Sequence, residues 1–130
     1  MVRAFLISLT ALFFTLPGFA QERIHDFDVD IEVRTNGDFV VSESIAVTAM
    51  GQSIQRGIFR ALPRYFGDEE NHRFEYRYDV MSVTRNGREE PYETYSEDNA
   101  YYIRIGDPDI YLPRGERQTY EIRYLVRNQV

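Results

Sequence analysis

Residues 27–48, FDVDIEVRTNGDFVVSESIAVT, contain the clearest folding pattern in the chain. Apolar and acidic residues alternate strictly over residues 27–33, Asn36-Gly37 follows, and residues 39–48 alternate again. A period of two is typical of a strand with one buried face. Asn-Gly between two such runs is a strong hairpin signal, because both residues tolerate positive φ. The stretch therefore predicts an antiparallel β-hairpin.

The rest of the chain after residue 20 repeats this pattern of short strands and turns. Residues 64–73 are polar and predict a loop, and Asn86-Gly87 predicts a second hairpin turn. No stretch has a helical period. Short strands between Gly, Asn and Pro turns favour one all-β domain over residues 21–130, an antiparallel β-sandwich that is immunoglobulin-like in general architecture. The further strands are predicted at 57–62, 74–84, 91–95, 100–105 and 119–126.

Residues 1–20 have the features of a secretory signal peptide that precedes this domain. Arg3 is followed by the apolar run 4–16, by Pro17-Gly18 and by small residues ending at Ala20. The alternative is an uncleaved anchor, but a spanning helix needs roughly 20 apolar residues, and this run is shorter. We therefore expect cleavage after Ala20 and export to the periplasm or cell surface, on the outer face of the membrane.

The composition excludes several classes of function. The chain has 15 basic and 21 acidic residues and a net charge of −6, which argues against nucleic acid as a partner. It has no Cys, so a lipid anchor on Cys, thiol nucleophiles and thiolate metal sites are impossible. Every basic residue is Arg, which rules out Schiff-base chemistry on Lys.

Four acidic residues could together form a metal site. They point to one face of the first strand because successive side chains of a strand alternate between faces: Asp26, Asp28, Asp30 and Glu32. Calcium prefers carboxylate oxygens, but its loops bend to make the ligands converge. The straight alternating segment favours a solvent-exposed face, with Arg from a neighbouring strand across from it.

The two histidines, His25 and His72, have no second ligand at metal spacing and no nucleophile-elbow serine in the sequence. Asp107 and Asp109 flank Pro108 and could ligate a cation, but this pattern is typical of a turn. We therefore predict no catalytic residue, no metal and no cofactor.

Glu43 is the one carboxylate on the face of the second strand that should point inward, since Phe39, Val41, Ile45 and Val47 share that face. An unpaired buried charge is costly, so Glu43 needs a partner. Arg60 shares its face with Ile58 and Leu62. We therefore expect a partly buried bidentate pair between Glu43 and Arg60, with a structural role.

The ordered motifs FDVDI (27–31), NGDFVVSE (36–43), GIFRALP (57–63), IRIGD (103–107) and YEIRY (120–124) resemble the exported N-terminal domain of YciQ-like predicted bacterial membrane proteins, a family of unknown function. The resemblance covers essentially all of the chain after residue 20. It marks six motif positions without a known role: Glu43, Gly57, Arg60, Pro63, Gly106 and Asp107.

The resemblance implies a β-sandwich outside the membrane, followed by transmembrane helices and a cytoplasmic tail. We therefore expect a fragment or truncated gene product, with membrane attachment through a segment missing after Val130. The leading hypothesis is a non-enzymatic extracytoplasmic sensing or interaction domain with an unknown protein partner. The alternative is a carbohydrate-binding or carbohydrate-active module that uses Tyr and acidic residues, although the absence of Trp weakens it.

Overall fold

The computed structural model describes residues 22–127, which form ten β-strands and no helix. Within these residues, no helix could span a membrane. The all-β prediction is confirmed, and the predicted strands 39–48 and 100–105 have the observed bounds. The predicted signal peptide, residues 1–20, lies outside the described residues. The strands are β1 (Arg23–Val33), β2 (Phe39–Thr48), β3 (Ile58–Pro63), β4 (Tyr65–Gly67), β5 (Arg73–Glu75), β6 (Tyr78–Arg85), β7 (Arg88–Glu89), β8 (Tyr92–Glu97), β9 (Ala100–Ile105) and β10 (Arg117–Val126).

The strands form two antiparallel sheets and a small ribbon. The first sheet has the order β1-β2-β10-β6-β7, the second has the order β3-β9-β8, and β4 pairs with β5. β10, from the end of the described chain, lies between β2 and β6 in the middle of the first sheet. β1 and β3 are therefore edge strands of the two different sheets.

Both sheets contribute to one hydrophobic core. The first sheet supplies alternating residues of β2 and β10, and the second sheet supplies residues of β3 and β9, because period-two alternation places one set of side chains on each inner face. Tyr120 and Ile103 are fully buried at its centre. The finer prediction of an immunoglobulin-like sandwich stays a prediction. The core cluster consists of Val41, Ile45, Val47, Ile58, Leu62, Val83, Ile103, Ile105, Tyr120, Ile122, Tyr124 and Val126.

The two Asn-Gly turns differ in their backbone. Asn86 and Gly87 both have positive φ, 52° and 80°, as a two-residue hairpin between Arg85 and Arg88 requires. In the first turn only Gly37 has positive φ, at 89°, and the amide of Arg34 donates to the carbonyl of Asp38 at 2.8 Å. Both hairpins are thus confirmed, but the first uses a longer loop than the two-residue turn.

The region 64–84 corrects two predictions. The predicted polar loop 64–73 contains β4, and the predicted strand 74–84 breaks after Glu75 into β5 and β6. Phe66 stacks on Phe74 with ring centroids 4.9 Å apart, which holds the β4–β5 ribbon together. Alternation was continuous in the sequence because both segments are extended, but it does not reveal that they pair with different partners.

Candidate interaction site

The pair between Glu43 and Arg60 joins the two sheets. Glu43 on β2 is 2% exposed, and Arg60 on β3 approaches it from the other sheet. Arg60 Nε donates to Glu43 Oε2 at 2.8 Å, and Nη2 donates to Oε1 at 2.7 Å. This is the bidentate geometry that makes Arg–carboxylate pairs strong, and it confirms the predicted contact. The hydrogen bond from Arg60 to Glu43 raises the pKa of Arg60.

Two tyrosines extend this pair into the core. The hydroxyl of Tyr124 donates to Glu43 Oε1 at 3.1 Å, and Tyr78 packs edge-on against Tyr124. Burial raises the pKa of Tyr124, and the Glu43 carboxylate raises it further. Burial also raises the pKa of Tyr78 to about 12. Both hydroxyls therefore stay neutral near neutral pH and act as hydrogen-bond donors: Tyr124 to Glu43 and Tyr78 to the carbonyl of Pro63 at 2.6 Å.

The apolar side of β1 is the unexpected feature of the fold. Its residues pair with the inward residues of β2, so that Phe27 lies opposite Ile45 and Ile31 opposite Val41. Directly opposite residues of an antiparallel pair share a face. These side chains therefore lie on the same face as the core, yet they are about half exposed. We call this set the β1 strip: Ile24 (61% exposed), Phe27 (47%), Val29 (47%), Ile31 (54%) and Val33 (60%).

A groove runs between β1 and β3. It has a volume of about 380 Å³, its floor includes Ile45 and Val47 of β2, and its walls include Phe27 and Ile58. The guanidinium carbon of Arg60 lies 5.3 Å from the centroid of the Phe27 ring, which bridges the two walls. We call this the β1–β3 groove. It is open because β3 is the edge strand of its sheet.

Glu22 fixes the loop at one end of this groove. Its carboxylate accepts hydrogen bonds from the amides of Met50, Gln52, Ser53 and Ile54, at 3.3, 3.1, 2.8 and 2.9 Å. Desolvation opposes the effect, but these four amide donors lower the pKa of Glu22. Ser53 and Ile54 line the groove. The groove therefore has a defined wall at this end.

The acidic row of β1 lies on the opposite, solvent-exposed face, as predicted. The residues directly across from Asp28 and Asp30 are Ser44 and Ser42, and not arginines. Arg117 of β10 reaches across to Asp26 with an Nη2–Oδ2 distance of 2.5 Å. A shallow groove of about 380 Å³ on this face is lined by serine hydroxyls and carboxylates, among them Ser42, Ser82 and Asp30. Nothing in this arrangement makes four carboxylates converge.

The two motif glycines, Gly57 and Gly106, allow two backbone segments to cross closely. A Cβ on Gly57 would lie 1.7 Å from the carbonyl oxygen of Ile105, and a Cβ on Gly106 would lie 2.3 Å from that of Arg56. Gly106 also has a φ of 126°, in the region that favours glycine. The two motif segments therefore touch each other through their backbones.

The remaining motif positions lie at the end of a strand and at the start of a turn. Pro63 is the last residue of β3, where the lack of an amide hydrogen suits the edge of a sheet. Asp107 Oδ1 accepts from the amide of Asp109 at 2.8 Å, and its carbonyl accepts from Ile110 at 3.1 Å. Both contacts organise the backbone.

The histidines lie in ordinary hydrogen-bonded surroundings. His25 Nε2 lies 2.5 Å from Thr48 Oγ1. His72 Nδ1 lies 2.9 Å from Asp68 Oδ2, and with Glu70 these exposed residues place three possible ligand atoms within 4.8 Å. The prediction that no second possible ligand stands at metal spacing from His72 therefore overlooked Asp68 and Glu70. Asp68 Oδ1 also accepts from the amides of Glu70 and His72, at 3.0 and 2.8 Å, so the cluster is accounted for as the framework of its loop.

A family model for the N-terminal domain of predicted membrane proteins (DUF2207) matches residues 23–130. The chain belongs to this family. The chain is also 32% identical over 108 residues to the uncharacterized protein YciQ of Escherichia coli (strain K12). The match covers 83% of this chain and spans only 17% of the length of YciQ. No solved structure matches. The resemblance to YciQ-like proteins is thus confirmed.

The sequence of this DUF2207 domain predicts the Glu43–Arg60 pair but not the β1–β3 groove. The alternation in β1 predicted one apolar face but could not show that the second sheet leaves this face uncovered. Glu22 was also missed, because a carboxylate that binds four backbone amides has no side-chain pattern of its own. The only feature of the sequence that points to Glu22 is its position beside the first strand.

Proposed function

We propose that this DUF2207 domain is a non-enzymatic interaction domain that a membrane protein displays on the outer side of the membrane. The observation that carries the proposal is the β1 strip, five apolar side chains on the core face that the second sheet leaves about half exposed. An exposed contiguous apolar surface of this kind marks an interaction site. The strip and the β1–β3 groove are where a partner would bind.

The surroundings of Glu43 support a role without catalysis. Its carboxylate is buried, and Arg60 and Tyr124 bind it directly. Glycosidase chemistry would need a second carboxylate about 5–10 Å away across a substrate. Glu43 instead faces the core, and we propose that it and the other motif positions hold the two sheets and their crossing segments in place.

The sequence of residues 1–20 supports the proposed location outside the membrane, and the family supports membrane association. DUF2207 describes predicted membrane proteins, which is consistent with attachment elsewhere in the polypeptide. We propose that residues 1–20 direct export, that the two sheets pack as a β-sandwich, and that the domain faces the periplasm or the cell exterior. Mass spectrometry of the chain recovered from the periplasm of E. coli tests the export step. We expect a protein that begins at Gln21, and recovery of uncleaved chain in the cytoplasm would contradict it.

Site-specific photo-crosslinking in YciQ tests the interaction role in that protein's own host. A photoreactive residue replaces the residue that aligns with Val29 of the β1 strip, and a matched variant carries it at the position of Asp30 on the opposite face. We expect discrete crosslinked products from the first position only. Crosslinks from neither position, or equally from both, would contradict the assignment of the strip as the interface.

A carbohydrate-binding role is the second candidate, and the shallow groove on the outer face of the first sheet is the observation that favours it. Its serine hydroxyls and carboxylates can bind sugar hydroxyls, although no aromatic side chain is among its lining residues. A glycan array tests this role, with the wild-type chain compared with Asp30→Ala. Binding that Asp30→Ala abolishes would support the role, and the absence of any bound glycan would reject it.

A further inference from the structure

We propose that the β1–β3 groove binds an extended strand of a partner polypeptide. The strand pairs with the free edge of β3 and covers the β1 strip with apolar side chains at alternate positions. This inference rests on the proposed interaction role and names the chemistry of the partner.

The geometry places such a strand directly over β1. Neighbouring strands of a sheet lie about 4.8 Å apart, and packed sheets lie about 10 Å apart. Arg60 of β3 contacts Glu43 of β2 and lies over Phe27 of β1, so β3 sits above this side of the first sheet. One further strand beside β3 would then lie above β1. The second sheet has three strands and the first has five, and the β1 strip is what the shorter sheet leaves uncovered.

The edge of β3 supplies the hydrogen-bonding groups. β3 pairs with β9 on one side, and within residues 22–127 no strand pairs with its other side. An edge strand presents unpaired N–H and C=O groups that template an added strand. In strand addition of this kind, backbone hydrogen bonds supply the affinity, and pockets that accept every second side chain of the added strand supply the specificity. Pro63 lacks an amide hydrogen, which limits the pairing at that end of β3.

The charges of the groove define the inward side chains of the partner. The exposed apolar residues of β1 recur with a period of two beyond the bulge near His25, which matches the side-chain spacing of a strand. Arg60 is the charged residue in the groove lining, and the hydrogen-bonded carboxylate of Glu43 neutralises it. The acidic row of β1 points away. The inward side chains of the partner are therefore apolar and uncharged.

A second copy of the chain fits this surface less well than a strand. β1 spans 11 residues, so two strips facing each other would bury an area about 36 Å long and about one strand spacing, roughly 5 Å, wide. This is roughly 180 Å² per partner, about a quarter of the roughly 800 Å² typical of a stable interface. Pairing between two β1 edges would bring two rows of acidic residues together, which like-charge repulsion opposes. An inserted strand gains apolar contacts from β1 and backbone hydrogen bonds from β3.

Fluorescence anisotropy with labelled synthetic peptides tests the proposal on the full chain. The probe is a short soluble peptide in which valine alternates with threonine. One control has the same composition with the valines in adjacent pairs, and another has N-methyl groups on alternate backbone nitrogens. We expect both controls to bind at least about tenfold more weakly. These peptide controls leave the protein unchanged, so their result does not depend on the folding of a variant.

A matched pair of variants places the peptide. Ile31→Ser on the strip should weaken binding about fivefold, because the peptide would no longer bury the apolar surface of the half of the isoleucine side chain that is exposed in the free chain. Glu32→Ser, the neighbour on the opposite face, should leave binding unchanged. Circular dichroism confirms that both variants are folded. Hydrogen exchange should show new protection of β3 amides in the complex.

Several outcomes would overturn the proposal. Equal binding of all peptides, or of none, rejects strand addition. A dimer that forms with rising concentration and excludes the peptide assigns the groove to a second copy. If the peptide binds this chain but not full-length YciQ, a segment of YciQ's own polypeptide fills its groove, and the occupant is not a partner polypeptide. If the peptide fails while crosslinking from the Val29 position succeeds, the interaction role stands and only the strand chemistry is rejected.

Discussion

Removing Arg60 should destabilise the domain much more than removing Glu43, although the two residues form one ion pair. Glu43 is 2% exposed, whereas the side chain of Arg60 is 27% exposed and lines the β1–β3 groove. The variants Arg60→Leu, Glu43→Leu and the double variant test this asymmetry. Each replaces a charged side chain with an apolar one that can pack at the same place.

The magnitudes follow from what each variant leaves behind. Arg60→Leu leaves a buried carboxylate whose remaining hydrogen-bond donor is Tyr124, and such an uncompensated charge costs about 3–5 kcal/mol. Glu43→Leu leaves Arg60 free to reach water through the groove. It also leaves the buried hydroxyl of Tyr124 without its acceptor, so we expect about 1–3 kcal/mol. The double variant should lie within about 2 kcal/mol of the wild type, because apolar replacement of a whole pair is often nearly neutral.

Urea denaturation followed by circular dichroism measures these differences as free energies of unfolding. The m-value must stay constant for the comparison to hold. The double-mutant cycle then yields the coupling energy of the pair. Equal costs for the two single variants, or a cost of less than about 1 kcal/mol for Arg60→Leu, would show that the buried Glu43 does not depend on Arg60 for its stability.

Three further predictions concern the crossing, the groove loop and the tyrosines. Gly57→Ala should lower the free energy of unfolding in urea by at least about 2 kcal/mol, since its Cβ would lie 1.7 Å from a carbonyl oxygen. Gly67→Ala, whose Cβ would have its nearest contact at 3.6 Å, should lower it little. Equal effects of the two variants would contradict the close crossing. Because its four amide donors lower the pKa of Glu22, its contribution is present above the unfolded pKa near 4.5 and is lost as the pH falls through the folded value. NMR of the Met50–Ile54 amides should therefore show an acid transition that Glu22→Ala lacks, and an identical transition in the variant would exclude this cause. Burial raises the pKa of both Tyr78 and Tyr120 to about 12, so the folded state favours the neutral phenols: this linkage leaves stability unchanged below pH 10 and lowers it as the pH rises through 12. Ultraviolet titration should show a late tyrosinate step, and complete ionisation near pH 10 in the folded chain would contradict this expectation.

The sequence predicted the parts of the fold that depend on local pattern. The alternation in residues 39–48 and 100–105 matched two strands, and Glu43 stood out because a carboxylate interrupted an apolar face. Arg60 followed from the same argument. The contact between them is a long-range one that alternation and charge together were sufficient to predict.

The parts that the sequence did not predict depend on which strands pair and on how far each sheet extends. Phe74 and Tyr78 belong to one alternating run, yet they lie in different sheets. Ile31 alternates like a buried residue, yet the second sheet does not extend over it. Pairing partners and sheet width are set by tertiary packing, which a period of two does not record.

Cysteine reactivity on β1 tests the claim that the core face of this strand is open for an added strand. The chain has no native Cys, so single substitutions report one position each. We predict that Ile31→Cys reacts with a maleimide about as fast as Glu32→Cys in the free chain. The alternating peptide at saturation should slow the first at least about tenfold and leave the second unchanged. Protection of Ile31→Cys in the free chain, or equal rates with and without the peptide, would contradict the claim.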